Sequence, residues 1–242
     1  MTPLFRWDVF VQQLLSPDFV VAAWTTLWIS LASLSVGMVG GLILALSQES
    51  RWRLLRGFVA AYLWLFRGTP ALLQIIFAFN VLPVFGIILS GPTCAVLALG
   101  LNEAAYLAEI LRSGIRAVGP GQRVAGRALG LEDWQVMRHI VLPQAARVII
   151  PPVGNQFIGM LKVSALVSVI GVHDLLQVAE QAASGTFRYL EALSAAAIYY
   201  LAFTTVLMAG QHWLERRLKR RLRTGRAAAP VAVGAFAKAS LR

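Results

Sequence analysis

The 242-residue chain carries 22 Lys and Arg residues against 11 Asp and Glu residues, a formal net charge of +11, yet its mean hydropathy is +0.68. Hydrophobic residues make up 58 % of the chain and charged residues 14 %, which argues against a disordered chain and a soluble nucleic-acid-binding protein, because globular domains are roughly 45–50 % apolar. A membrane protein whose cations are gathered on one side accounts for both the charge and the hydropathy.

Five apolar stretches are long enough to cross about 30 Å of hydrocarbon. The first, 19–46, is too long for the hydrophobic core of a signal peptide, so we expect it to remain in the protein. In the second, 54–66 and 71–90 flank a break at Arg67-Gly68-Thr69-Pro70, and we take the pair as one element that crosses once. The other three spans are predicted at 92–111, 149–170 and 192–214.

Two features inside the spans predict local geometry. The first span carries small residues at every fourth position, Ser33, Gly37 and Gly41, which predicts close packing against another helix. Pro151 and Pro152 stand at the start of the fourth predicted span, where we expect them to kink the helix.

The distribution of cations orients the five spans. Lys and Arg residues concentrate after the first span, between the third and fourth spans, and after the fifth, and these three segments share one face of the membrane. The positive-inside rule therefore predicts an outer N-terminus and a cytoplasmic C-terminus. We expect residues 1–18 to form an outer interfacial lead-in, 19–218 to form the membrane domain, and 219–242 to be a basic, disordered tail. The arginines that begin this tail directly follow a span, which favours contact with anionic lipid over nucleic acid.

The cytoplasmic segment 112–148 is too long for a turn and too polar for lipid, so it needs structure of its own. Pro120 suits the first turn of a helix, and Gly130 suits its end. A second short helix is predicted at 131–139, with acidic residues at its N-terminal end and basic residues at its C-terminal end, as the helix dipole favours. We expect Pro143 to stop this helix.

This segment resembles a known family. Gly130, nine further residues, and then Ile140-Val141-Leu142-Pro143 match the core of the EAA loop in permease subunits of bacterial ABC importers. Further blocks resemble the polar amino-acid branch of that family: Arg67-Gly68-Thr69-Pro70, Ala105-Tyr106-Leu107-Ala108-Glu109-Ile110, Gly121-Gln122, Ala128-Leu129-Gly130-Leu131 and Leu166-Val167-Ser168-Val169-Ile170-Gly171. Val124-Ala125-Gly126 stands where the family usually has Glu-Ala-Ala.

The resemblance implies the all-α permease fold of a type I ABC importer in the bacterial cytoplasmic (inner) membrane. Two such subunits, identical copies or sister permeases, would form one translocation path for polar amino acids or opine-like derivatives. An extracytoplasmic binding protein would deliver the solute, and two separate ATPase subunits would bind ATP and Mg²⁺, so we expect no cofactor and no enzymatic activity in this chain. The chain also lacks the phosphate-binding motif of an ATPase.

The resemblance further implies that the 131–139 helix couples the permease to its ATPase. The residues expected at this contact are Ala125, Gly126, Gly130, Leu131, Glu132, Asp133, Trp134, Ile140 and Pro143. Trp134 is either an anchor for the ATPase or an aromatic residue resting at the lipid interface.

Two charges, Glu103 and Lys162, lie near the middle of predicted spans, where a charge costs at least about 2.5–3.5 kcal/mol. They either pair with each other or line the path and hold the amino and carboxylate groups of the solute, with Asn102, Tyr106 and Ser164 as neighbours. Arg67, with Thr69 and Pro70, either contacts the solute or caps the break in the second span, and we favour the cap.

Other functions remain as alternatives. A stand-alone secondary transporter would run without ATP, and a membrane-bound enzyme would use Glu103 and Lys162 for acid–base chemistry. The lone Cys94 cannot form an internal disulfide, and the three histidines have no carboxylate or cysteine at ligand spacing, so we expect no metal site.

Overall fold

The computed structural model describes residues 4–226, with side chains through residue 217, and holds no strand over that range. Ten α-helices follow one another: α1 (Trp7–Leu14), α2 (Pro17–Gln48), α3 (Arg53–Gly68), α4 (Ala71–Asn80), α5 (Gly91–Arg116), α6 (Pro120–Ala128), α7 (Asp133–Val136), α8 (Leu142–Val163), α9 (Leu175–Thr186) and α10 (Tyr189–Arg226). Short 3₁₀ turns lie at Leu82–Phe85 and Ser164–Ile170, and one π-helical turn lies at Met137–Val141. The all-α expectation is confirmed.

Four helical stretches are long and apolar enough to span a membrane. Within the described residues these are Pro17–Gln48, Gly91–Arg116, Asp133–Ile170 and Tyr189–Arg217. Helices α3 and α4 pass the same test together, but they meet at an angle of 102°. The break falls at Thr69 and Pro70, inside the block that the sequence indicated, and the bent pair is either a broken span or a re-entrant element.

Two predictions about proline are wrong. Pro143 does not stop the second cytoplasmic helix, because the π-helical turn Met137–Val141 carries the chain directly into α8. There Pro143 occupies the first turn, where its missing N–H matters least. Pro151 and Pro152 lie inside α8 and not at the start of a span.

The last helix is longer than the sequence indicated. The backbone of α10 runs to Arg226, so the predicted boundary at residue 219 falls within a helix. The remainder of the predicted tail, 227–242, lies outside the described residues.

The N-terminal segment packs on the helix bundle. Phe10 of α1 and Phe19 of α2 are buried in one apolar cluster with Leu175 of α9. The Tyr199 hydroxyl of α10 donates a hydrogen bond to the Leu14 carbonyl at 2.7 Å. These contacts hold α1 against α10, on the side of the protein where α2 begins.

Two glycines of α2 pack closely against α5. A Cβ built on Gly41 would lie 2.8 Å from Leu107 Cβ and 3.0 Å from the Ala108 backbone nitrogen. A Cβ on Gly37 would lie 2.8 Å from Glu103 Cβ. Both glycines belong to the predicted small-residue stripe, so the prediction of close helix packing is confirmed. Without side chains at these positions the two backbones approach closely and gain dispersion contacts along their length.

Replacing Gly41 with Ala should destabilise the protein by about 1–3 kcal/mol, because the new methyl group meets backbone atoms that cannot turn away. The measurement is the thermal unfolding midpoint of the purified protein in detergent. Gly57→Ala in α3 is the matched control, because nothing lies within 4 Å of its added Cβ. The control should be neutral or up to about 1 kcal/mol more stable, since Ala favours helix over Gly. A Gly41→Ala variant that unfolds at or above the wild-type midpoint would contradict this account.

Candidate functional site

A cavity of about 500 Å³ opens where α5, α8 and the break between α3 and α4 meet. Most of its lining atoms are apolar, from residues such as Leu99 and Met160. Its polar lining comes from six side chains on α3, the break, α5 and α8: Arg67, Thr69, Asn102, Glu103, Tyr106 and Gln156. A mainly apolar concavity with a few convergent polar groups is typical of a small-molecule site.

Glu103 is the buried charge of this cavity, with only 5 % of its surface exposed. Its Oε1 accepts a hydrogen bond from Gln156 Nε2 at 2.8 Å, across the contact between α5 and α8. Within the described residues, no cationic side chain lies within ion-pair distance of Glu103. A carboxylate held by a neutral amide in a cavity retains the capacity to bind a cationic group.

The break between α3 and α4 is held by amide side chains. Asn102 Nδ2 donates to the Phe66 carbonyl at 2.9 Å, and Gln74 Nε2 lies within 3.2 Å of the carbonyls of Phe66 and Thr69. The two amides also meet, with Asn102 Nδ2 at 3.1 Å from Gln74 Oε1. The broken helix therefore finds partners for backbone carbonyls that would otherwise be unsatisfied in an apolar environment.

Arg67 takes a different position from the one that we favoured. Thr69 joins the cap, because its hydroxyl donates to the Leu65 carbonyl and lies 2.8 Å from Gln74 Nε2. Arg67 instead lies over the ring of Tyr106, with Cζ 5.7 Å from the ring centroid. Its Nη1 lies 3.9 Å from Glu109 Oε2. Its guanidinium thus lines the cavity on the side of the break.

Lys162 and Ser164 are not among the cavity residues. Ser164 is buried and donates to the Leu161 carbonyl, and Lys162 is exposed without an ion pair in the described part of the chain. Of the two alternatives for Lys162, the structure shows neither a pair with Glu103 nor a place in the lining of this cavity. The α8 residues that line the cavity are Gln156, Gly159, Met160 and Val163, a helical stripe at positions i, i+3, i+4 and i+7. Because each residue turns the helix by about 100°, Lys162 points away from this stripe.

Gln156 is a polar residue of the cavity that the sequence analysis did not predict. A search for charges inside the spans passes over an uncharged amide. The sequence pattern that could have pointed to Gln156 is its spacing from Gly159 and Met160. This spacing places a polar side chain on the same helix face as one small and one flexible residue.

The segment between α5 and α8 forms a second candidate site, a rigid turn that presents Trp134. Gly130 adopts a φ of +79°, a left-handed conformation that favours glycine, and it separates α6 from α7. A capping box links Glu132 and Gln135 at the start of α7. The indole Nε1 of Trp134 donates to Glu132 Oε2 at 2.7 Å, while 56 % of the side chain stays exposed.

The other residues predicted for this contact divide into exposed and supporting groups. Ala125, Glu132, Asp133 and Pro143 are exposed. Gly126 is buried, and a Cβ there would lie 2.8 Å from Ile140 Cδ1. Leu131 packs at the edge of a small apolar cluster around Val136. Gly126, Leu131 and Ile140 therefore support the turn, and the exposed residues form its surface.

Comparison with known proteins decides the family. Residues 37–220 match the sequence profile described as "Binding-protein-dependent transport system inner membrane component". The chain belongs to this family. It is a multi-pass permease subunit of the inner membrane and not an enzyme, and components of this family work with a binding protein and separate ATPase subunits. The alternatives of a secondary transporter and a membrane-bound enzyme are not favoured.

Individual relatives cover most of the chain. The arginine transport system permease protein ArgU of Corynebacterium glutamicum is 38 % identical over 230 residues, which are 89 % of this chain and 73 % of that protein. The glutamine transport system permease protein GlnP of Escherichia coli K12 is 38 % identical over 205 residues, 84 % of this chain and 94 % of that protein.

Solved structures agree with the fold. A chain from the crystal structure of an amino acid ABC transporter with histidines is 39 % identical and superposes with a TM-score of 0.79, covering 83 % of this chain and 94 % of that one. An inward-facing structure of the MetNI methionine ABC transporter superposes with a TM-score of 0.70 at 20 % identity and shares the fold.

Replacing Asn102 with Leu should lower stability by about 1–3 kcal/mol, because Gln74 Oε1 loses its donor and the Phe66 carbonyl keeps only one of its two donors. Thermal unfolding in detergent measures the change. Asn80→Leu is the control, because Asn80 is exposed and donates only to the Ile76 carbonyl of its own helix. Its effect should stay within about 0.5 kcal/mol. Equal destabilisation by the two variants would show that Asn102 does not hold the break.

Proposed function

We propose that this chain is one of two permease subunits, identical or paired with a sister permease, that form the translocation path of an ATP-driven importer for polar amino acids or opine-like derivatives. The observation that carries the proposal is the buried Glu103 carboxylate in a cavity at the middle of a membrane-spanning helix. Relatives named for arginine and glutamine transport support the solute class.

The cavity suits the two charges of an amino acid. Glu103 offers an acceptor for the α-ammonium group, and Gln156 keeps that carboxylate oriented. Arg67, which lines the cavity on the side of the break, offers a guanidinium for the α-carboxylate. The proposal thus gives Arg67 the cationic role that the sequence suggested for Lys162. The cavity volume of about 500 Å³ lies within the range of roughly 300–1,000 Å³ typical of small-molecule sites.

We infer the orientation from charge. Six arginines lie between the last turns of α5 and the first turns of α8: Arg112, Arg116, Arg123, Arg127, Arg138 and Arg147. This enrichment supports a cytoplasmic position for α6 and α7, with the N-terminus outside. The extracytoplasmic binding protein then meets the opposite side, where α1 and α9 lie.

We infer that the turn around Trp134 docks on an ATPase subunit, one for each permease, and that ATP and Mg²⁺ are held there and not by this chain. An exposed tryptophan braced by Glu132 is a preformed anchor for a groove, since little side-chain freedom remains to be lost on binding. Val124 stands where the family usually has a carboxylate, so we infer that this contact depends more on Trp134 and on the ion pair of Asp133 with Arg127. In that pair Arg127 Nε lies 2.7 Å from Asp133 Oδ1.

Replacing Glu103 with Gln should reduce ATP-dependent amino-acid uptake into liposomes roughly 10- to 100-fold, because a charge-assisted hydrogen bond to the solute becomes a neutral one. The glutamine can still meet Gln156, so assembly with the ATPase should persist, and co-purification checks it. Glu215→Gln on α10 is the control, because Glu215 lies outside the cavity and its glutamine can still accept the hydrogen bond from Gln211 Nε2. Wild-type uptake by Glu103→Gln would remove Glu103 from the solute path.

Replacing Trp134 with Ala should weaken co-purification with the ATPase and lower ATP-driven uptake at least tenfold, as loss of an interface anchor costs about 2 kcal/mol or more. Trp52→Ala is the matched control: Trp52 is 76 % exposed in the segment between α2 and α3 and lies outside the coupling turn. If both variants keep the ATPase equally well, Trp134 rests at the lipid interface and the docking proposal fails.

A further inference from the structure

A second charged cavity, of about 410 Å³, lies where α2 and α5 end, beside the turn that carries Trp134. Its charged lining comes from Glu49, Arg112, Arg116 and Arg123. Its apolar lining comes from residues of the spans and of the coupling segment: Ala45, Leu46, Ile115, Val118 and Met137. The cavity is separate from the one around Glu103, and the proposed function does not use it.

The charges of this cavity do not balance. Arg112 Nε and Arg116 Nη2 both donate to the same oxygen, Glu49 Oε1, at 3.3 Å and 3.0 Å. Arg123 is half-buried and has no ion pair within the described residues. Three guanidinium groups thus line a cavity that holds one carboxylate, which leaves donors available to an anion from outside the chain.

The carboxylate of Glu49 stays ionised at neutral pH, so it offsets one of the three positive charges. Partial burial raises the pKa of Glu49, but the hydrogen bonds from Arg112 and Arg116 outweigh that effect and hold the pKa below its usual value. The cavity therefore keeps an excess of positive charge at neutral pH.

The apolar side of the cavity continues along a membrane span. Leu46 at the cavity is 61 % exposed, and Leu42, one turn earlier on α2, is 47 % exposed. Both lie in Pro17–Gln48, one of the helices long and apolar enough to cross a membrane. A cationic cavity at the end of a span, joined to an exposed apolar strip, fits a ligand with an anionic head and a hydrocarbon tail.

We propose that this cavity binds the phosphate head group of an anionic phospholipid, held by Arg112, Arg116 and Arg123, with an acyl chain along Leu42 and Leu46. Guanidinium groups bind phosphate through paired, charge-assisted hydrogen bonds. Basic pockets between membrane helices are recognised sites for such head groups. The inference depends on α2 and α5 being membrane spans, and it does not depend on which solute the importer carries. The proposed orientation of the chain places this lipid in the cytoplasmic leaflet.

The bound lipid would connect three parts of the permease. Arg112 and Arg116 belong to α5, the helix that carries Glu103, whereas Arg123 belongs to α6 and Met137 follows α7. Occupancy should therefore tie the end of α5 to the coupling segment and raise the stability of the assembled importer, as any ligand of the folded state does.

The test uses the assembled importer in neutral detergent. Phosphatidylglycerol, phosphatidylcholine and inorganic phosphate are titrated separately, with native mass spectrometry to count bound lipid and thermal unfolding to follow stability. Phosphatidylglycerol alone should bind and raise the unfolding midpoint. Arg123→Gln should weaken its binding roughly tenfold or more, because one charge-assisted phosphate contact is lost and Glu49 keeps both of its partners.

Arg51→Gln is the matched control, an exposed arginine on the same side that does not line the cavity, and it should change binding less than about threefold. Equal losses in the two variants would mean attraction to diffuse surface charge and would overturn the proposal. The same stabilisation by inorganic phosphate would mean a small-anion site and would also overturn it. Loss of the ATPase from Arg123→Gln, with lipid binding intact, would assign the cavity to the ATPase contact instead.

Discussion

The glycine-lined contact between α2 and α5 is the constraint on which the rest of the structure depends. Inside a membrane, helices gain little from the hydrophobic effect on meeting, because lipid tails are as apolar as their side chains. Close packing must supply the attraction, and Gly37 and Gly41 allow the backbone of α5 to approach to distances that a methyl group would prevent. Since Gly37 lies against the stem of Glu103, the same contact determines where the buried carboxylate stands.

Helix α5 connects the separate parts of the site because its successive residues face different neighbours. Asn102 reaches the break between α3 and α4, Glu103 reaches Gln156 on α8, and Arg112 and Arg116 meet Glu49 at the end of α2. Each contact satisfies a polar group that would otherwise be costly near hydrocarbon. A movement of the coupling segment transmitted to α5 would therefore reach the cavity around Glu103 through one continuous helix.

Much of the fold could be predicted from local patterns, and the failures have physical causes. The spans, the break at Thr69 and Pro70, the small-residue stripe and the turn at Gly130 all follow from hydropathy, proline and glycine chemistry within a few residues. The prediction that Pro143 ends the second cytoplasmic helix was wrong. A proline in the first turn of a helix loses no intrahelical hydrogen bond, so the π-helical turn before Pro143 continues into α8. The sequence left the pairing of Lys162 with Glu103 open, because a charge inside a span does not show which face of α8 meets α5.

The sequence by itself determined that the chain is a helical membrane protein with a broken second element, a charge inside a span at Glu103 and a structured turn around Trp134. Each of these depends on residue chemistry and on helical periodicity close by in the chain. Only the tertiary structure decided that Gln156 and Arg67 line one cavity with Glu103, that Lys162 turns away, and that three arginines and Glu49 line a second cavity. The physical reason is that the rotation of one helix against another is set by side-chain packing between distant segments, which no local pattern records.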